Sequence, residues 1–340
     1  MTRRFAVSGM FGGAAVAALA LIGLLGFGTV NGYAERIAFT IATGPSSGTY
    51  FPVGETIAGL ISHPPGMDRC LRTSACGPQG LIASAQTSAG AYANVLSVES
   101  GRADSALAQS DVVAQAVAGK GAFKKKQTHI RTIAALFPEE IHLVVSTRSH
   151  IESIAKLRGK KISIGAVNSG TAVTARAVLA AYRLRAKMSN DPPDLAAQKL
   201  LAGKIDAFFF VGGAPVPLVE GLVESGRAVL LPIDGAGRDR LLARNEGLSR
   251  DRIGGGTYGH LPALDTVSVR ALWIVNDSEP SDVVFAVARS LFSPANRNLL
   301  IQGSPAARSI DLRKATRDLP APLHPGAEKF YREVRRQGSP

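Results

Sequence analysis

Cysteine is nearly absent from this 340-residue chain: there are two, Cys70 and Cys76, close together in DRCLRTSACGPQG. A zinc site would need further Cys or His ligands nearby, so the pair reads instead as a short-loop disulfide, the chemistry of an oxidising compartment. Aromatic residues make up only 6% and do not alternate with basic ones, although Lys and Arg (39) outnumber Asp and Glu (26). The one compact basic run is Lys124–Lys126, and no zinc-finger spacing occurs, which argues against a nucleic-acid partner. The positive surplus suits an anionic ligand or a negative membrane surface.

Catalytic signatures are missing as well. There is no G-x-S-x-G elbow and no H-E-x-x-H, and the S-x-x-K match at Ser153–Lys156 lacks its S-D-N and K-T-G companions. His63, His129, His142, His150, His260 and His324 show no ligand spacing and read as surface or satisfied core groups. Glu139 and Glu140 in FPEEIH are adjacent, so a strand or helix points them apart, against a carboxylate dyad. No catalytic residue, metal site or cofactor is expected.

What the chain does have begins at its N-terminus. Arg3 and Arg4 precede an uncharged apolar run, and GYA places Gly32 and Ala34 at the small positions before Glu35. This is the three-part pattern of a secretory signal over residues 1–34, with cleavage after Ala34. The run from about Phe5 to Val30 also has the length of a bilayer span, so an uncleaved anchor is the alternative. The Thr-Arg-Arg-Phe start has the look of a twin-arginine signal. Either route leads out of the cytoplasm. The chain from Glu35 carries +13 − 2 = +11 once Arg3 and Arg4 are removed.

From Glu35 onward, apolar strand-like runs alternate with helical patterns, which predicts βαβ units and a largely parallel sheet, an α/β fold. ERIAFTIAT reads as a strand, FPVGETIAGLIS as a helix with Pro52 in its first turn, and IRTIAALFPEEIHLVVST as two strands. A second series repeats the grammar, with strands at Lys161–Gly165 and Ala207–Val211. Lobe 1 is expected over 35–146 plus 265–340 and lobe 2 over 147–264, with a ligand cleft between them.

The loops expected at strand C-termini share small residues, hydroxyls and amides. They are TGPSSGTY (Thr43–Tyr50), TSAGAYAN (Thr87–Asn94), QSD (Gln109–Asp111), NSGT (Asn168–Thr171) and GGAPVP (Gly212–Pro217). The first runs from a strand into a helix without the Lys of a phosphate loop, which excludes a nucleotide of that kind. Gly48 and Gly170 admit a close backbone approach; Ser47, Thr49, Ser169 and Thr171 are candidates to cap helices or meet a ligand. In open α/β sheets a ligand lies beyond the strands' carboxyl ends, so convergence of these loops implies a polar, anionic solute.

Those blocks, with ALFPEEIHLVV, LRGKKISIGAVNSGT, GGGTY and LHPGAEKFYREV, resemble in matching order the TAXI-type solute receptors of tripartite ATP-independent periplasmic (TRAP) transporters. The resemblance implies a type II periplasmic-binding-protein fold without enzymatic activity. Its partners would be a small carboxylate solute, an organic or amino acid such as glutamate or a 2-oxo acid, and integral-membrane TRAP permease subunits. Carried over residue by residue, the family's ligand loops fall on Ser46, Ser47, Gly48, Thr49, Tyr50, Ser88, Asn94, Gln109, Ser110, Asp111, Ser169, Gly170, Thr171, Gly213 and Ala214. The chain departs from the family at Pro45–Ser47, where a Gly-rich run is usual, and at Ala91–Tyr92, where Ser-Val is usual. Arg131, Arg176 and Arg270 are candidates for a carboxylate clamp. Two other classes stand as alternatives: a ligand-sensing module for a membrane kinase, and a two-lobed hydrolase or transferase, which would need a nucleophile with an oriented base.

Overall fold

Alternation of apolar strand and amphipathic helix governs the architecture from the first element to the last. The structure, a computed structural model, describes residues 36–338 except 68, 69, 71–74 and 246, so the expected export segment lies outside the described residues. Among the described residues ten strands form one sheet: β1 (Ile37–Ala42), β2 (Leu81–Gln86), β3 (Ser105–Gln109), β4 (Ile130–Ser146), β5 (Lys161–Ser163), β6 (Lys187–Ser189), β7 (Ala207–Gly212), β8 (Ala228–Leu231), β9 (Ser249–Ile253) and β10 (Leu264–Asn276). Their order is β2-β1-β3-β10-β4-β7-β5-β6, with β8 on β4 and β9 on β10. β1 is parallel to β2 and β3, and β5 is parallel to β6 and β7.

Each of these six strands runs into a helix at its carboxyl end: α1 (Tyr50–Ile61), α2 (Ala91–Glu99), α3 (Ser110–Ala118), α4 (Gly170–Ala181), α5 (Pro193–Leu201) and α6 (Pro217–Glu224). Through β10 and β4 the two groups run in opposite directions, with the carboxyl ends of β3 and β7 facing each other near Pro138–Glu140, so the helix N-termini gather from both halves around the middle of β4. α7 (Gly235–Leu242), α8 (Ser281–Leu291), α9 (Arg297–Gly303) and α10 (Pro325–Arg336) complete the covering layers.

The expectation of two strands across IRTIAALFPEEIHLVVST is corrected here. Pro138 does not break the run: β4 is one 17-residue strand. Its first part pairs antiparallel with β10 up to Ser268↔Glu140, and its second part, from Glu140↔Gly212, pairs with β7. Proline is tolerated because the rung it cannot donate falls where β4 changes partners and where the β10 register shifts between Arg270 and Leu272.

Apolar residues on alternate faces of the sheet build separate cores. One surrounds β1 and β3 and includes Phe39, Leu107 and Trp273. Along β7, Phe209 and Val211 enter a second core while Phe208 and Phe210 enter a third on the opposite face. The cysteines do pair, Cys70 with Cys76, just after α1. No helix among the described residues is long and apolar enough to cross a membrane.

Candidate functional site

The strand-to-helix junctions meet around a cleft enclosing about 610 Å³ including its open mouth. Gly48, Thr49 and Tyr50 come from the β1–α1 junction, Gly90 and Ala91 from β2–α2, and Gln109 from the end of β3. Across from them stand Ser169 and Thr171 at the start of α4, Asp191 before α5, and Phe209–Val211 of β7; Glu139 of β4 lies among them. The closeness of the two sides depends on glycine. A Cβ on Gly170 would fall 1.4 Å from Oε1 of Gln109, and Gly90, at φ 112°, lies against Ser169. Hydrogen bonds also cross between the sides: Ser47 Oγ to Asp194 Oδ2 (2.6 Å), Ala93 N–H to the Asn168 carbonyl (3.2 Å) and Thr174 Oγ1 to Asp111 Oδ2 (2.9 Å).

The cleft's electrostatics are set by acids. Glu139 is 2% exposed and accepts from the Tyr50 hydroxyl at 2.7 Å. Burial pushes its carboxyl well above the usual range, the Tyr50 hydrogen bond partly offsets this, and the charges of Asp111 and Glu140 add to the rise. Asp111, also buried, is raised to about 6 by burial, against the hydrogen bonds from Thr174 and the Val112 N–H. Glu140 points away from Glu139 and accepts the Ala214 N–H at 2.9 Å; burial raises it to about 7. Burial would also raise Asp191, but donors including Lys199 and Ser189 hold it below its ordinary value. Among the described residues, no Lys, Arg or His lines the cleft. Gln109 is 2% exposed, and neither Nε2 nor Oε1 of its amide has a hydrogen-bond partner among the described residues.

The fold of a mixed sheet covered by helices is shared with proteins of solved structure. A periplasmic transporter matches at TM-score 0.52 and 13% identity over 88% of this chain and 93% of its own. MatC from Rhodopseudomonas palustris, solved with bound malate, matches at TM-score 0.52 and 12% identity, covering 88% of this chain and 97% of its own. A binding-protein component of a phosphonate ABC transporter from Pseudomonas aeruginosa matches at TM-score 0.50 and 10% identity over 83% and 82%. The fold is that of the periplasmic binding proteins. The sequence of residues 41–334 matches the family model described as NMT1-like. This chain belongs to the NMT1-like family. In this NMT1-like protein the matched span includes every cleft residue named above.

Of the residues expected at the site, the structure brings Gly48, Thr49, Tyr50, Gln109, Ser169 and Thr171 to the cleft wall. Ser169 caps α4: its Oγ accepts the Ala172 N–H at 3.1 Å. Thr171 accepts the Val211 N–H at 3.3 Å, and Gly170 carries the Gln109 amide against its backbone. Thr49, in contrast, forms no side-chain cap on α1 and faces the cleft. The structure places the other expected residues behind or beside the wall. Ser46 is exposed, and Ser47 spends its hydroxyl on Asp194. Ser88 donates to Asn94 Oδ1, and Asn94 donates to the Leu107 carbonyl, so the pair ties β1, α2 and β3 together. Ser110 donates to the Gly247 carbonyl, while Gly213 packs on Ala306 and Phe137 and the Ala214 N–H goes to Glu140.

None of the candidate arginines lines the cleft. Arg131 pairs with Asp277, Arg176 donates to the Ala172 carbonyl, and Arg270 lies on β10 opposite Pro138. Ala91 contributes to the wall, but Tyr92 turns away and packs on Phe123 with ring centroids 4.6 Å apart. The S-x-x-K segment lies elsewhere, with Lys156 in an exposed ion pair to Glu152. Sequence reading missed Glu139, Asp191 and Phe209–Phe210. The available signal for Glu139 was an acid inside an otherwise apolar strand run, a place where carboxylates are rarely found unless partnered.

Proposed function

We propose that this protein is an exported, non-catalytic receptor that captures a small carboxylate-bearing solute between two lobes and hands it to the membrane subunits of a TRAP-type transporter. One observation carries the reading: the N-terminal junctions of α1, α2 and α4 converge on a single cleft with Thr49 turned into it. The first-turn amides of a helix have no partner within the helix, and its dipole favours an anion there. With no cationic side chain in the wall, those amides and Thr49 are the groups that would receive a carboxylate. The lobes are the β1–β3 and β5–β7 halves of the sheet, joined through β4 and β10. The hydrogen bonds that cross the cleft are the contacts that lobe closure would make. The resemblance of the loops to TAXI-type receptors supports delivery to a permease, and the periplasmic-binding fold supports capture without chemistry.

Thermal unfolding of the purified protein against amino acids, 2-oxo acids, di- and tricarboxylates including malate, and aromatic acids tests this. A ligand at a hundred times its Kd stabilises the folded state by about 2.7 kcal/mol, enough for a rise of several degrees in Tm. A rise confined to one carboxylate class is the expected result. A panel with no rise removes the carboxylate assignment.

A further inference from the structure

The inner wall of the cleft carries polar groups that a carboxylate alone does not satisfy. Gln109 and Glu139 extend from β3 and β4, the strands on either side of β10. Gln109 is level with Ala271 of β10 and Glu139 with Val269, so their backbones lie about 12 Å apart. Buried polar atoms in folded proteins are almost always partnered, so an amide with neither atom satisfied, set in a cleft wall, marks a place where something else makes those bonds. The Gln109 amide offers one N–H donor face and one carbonyl acceptor side by side. Glu139 has one oxygen engaged by Tyr50 and none of its hydrogen bonds reaches a cation.

We infer that the subsite formed by Gln109, Glu139 and Tyr50 binds an uncharged carboxamide-type group of the ligand, an amide, ureido or lactam presenting C=O and N–H together. The inference rests on the receptor reading above and places this group at the end of the solute opposite its carboxylate. A second carboxylate would set a charge in a wall that buries Glu139 and offers no positive side chain among the described lining residues. An ammonium would satisfy Glu139 but leave the N–H face of Gln109 against another donor. A carboxamide answers both sides of Gln109 at once and leaves Glu139 a single remaining contact. Phe209, Phe210 and Ala91 would hold the apolar stem.

The test uses isothermal titration calorimetry of the purified protein with matched probes: succinate, succinamate and 4-aminobutyrate, then glutarate, glutaramate and 5-aminovalerate. The expected result is that in one series the monoamide binds at least tenfold more tightly than its dicarboxylate and amino partners. Gln109→Leu should bring the ratio within threefold, whereas Thr49→Val should weaken all three while keeping it. A dicarboxylate or amino acid that binds as tightly as the amide overturns the inference and leaves the receptor reading intact. So does a tenfold preference that survives in Gln109→Leu. Absence of binding in both series, alongside a hit in the wider panel, also overturns it. If the wider panel is empty too, the carboxylate-receptor reading falls and the inference falls with it. Should Gln109→Leu fail to fold, the wild-type ratios decide alone.

Discussion

Two threonines at neighbouring helix starts separate ligand chemistry from fold chemistry. Thr171 gives its hydroxyl oxygen to the Val211 N–H, whereas Thr49 lines the cleft with a hydroxyl that caps no helix. Thr171→Val should therefore lower stability by about 1–2 kcal/mol, the cost of stranding a buried N–H, as read by denaturant unfolding. Thr49→Val should keep the ligand-free Tm near wild type and weaken binding several-fold. Asp111 makes a pH prediction. Its carboxyl titrates near 6 in the folded protein against an ordinary 3.8, so between those values the folded state holds more protons than the unfolded one. Its contribution to stability is then favourable at low pH and is lost as pH rises through about 6. Asp111→Asn keeps an acceptor for Thr174 and removes the charge; it should flatten the fall in stability between pH 4 and 6, by an amount on the order of 2–3 kcal/mol. A variant with the wild-type pH profile would show that other acids set it.

At the scale of elements, the junction loops were legible because Gly, Ser and Thr between an apolar run and a helix leave few other readings. Six of the residues so picked reach the wall. Others, such as Ser88 and Asn94, have the same composition but bond to backbone and to each other, a distinction that depends on which way a side chain turns. IRTIAALFPEEIHLVVST reads as two strands, and only the partner change along the sheet explains why β4 runs on through Pro138. That continuity is also why Glu139 was missed, since it reaches the cleft from mid-strand and not from a loop. Near the end of α1, the Cys70–Cys76 loop, with a separation of 6, should contribute about 2 kcal/mol. Replacing both cysteines with serine should lower the Tm by a few degrees and leave ligand affinity unchanged, since neither lines the cleft.

For the molecule as a whole, the bonds that cross the cleft are few and one of them is exposed. Ser47→Ala removes the link to Asp194 and should raise the ligand off-rate a few-fold in stopped-flow, with little change in Tm. Equal off-rates in the two proteins would mean that this link does not hold the closed state. The sheet runs unbroken beneath those contacts, so the lobe closure proposed above would be taken up within β4 and β10. Along that pair Pro138 has no N–H to give, and the register shifts beside it. Glu139 is the next residue. A lever that carries its load directly over the fulcrum needs no linkage, and here whatever Glu139 grips would bear on the pivot itself, so recognition and bending would be one event at adjoining residues.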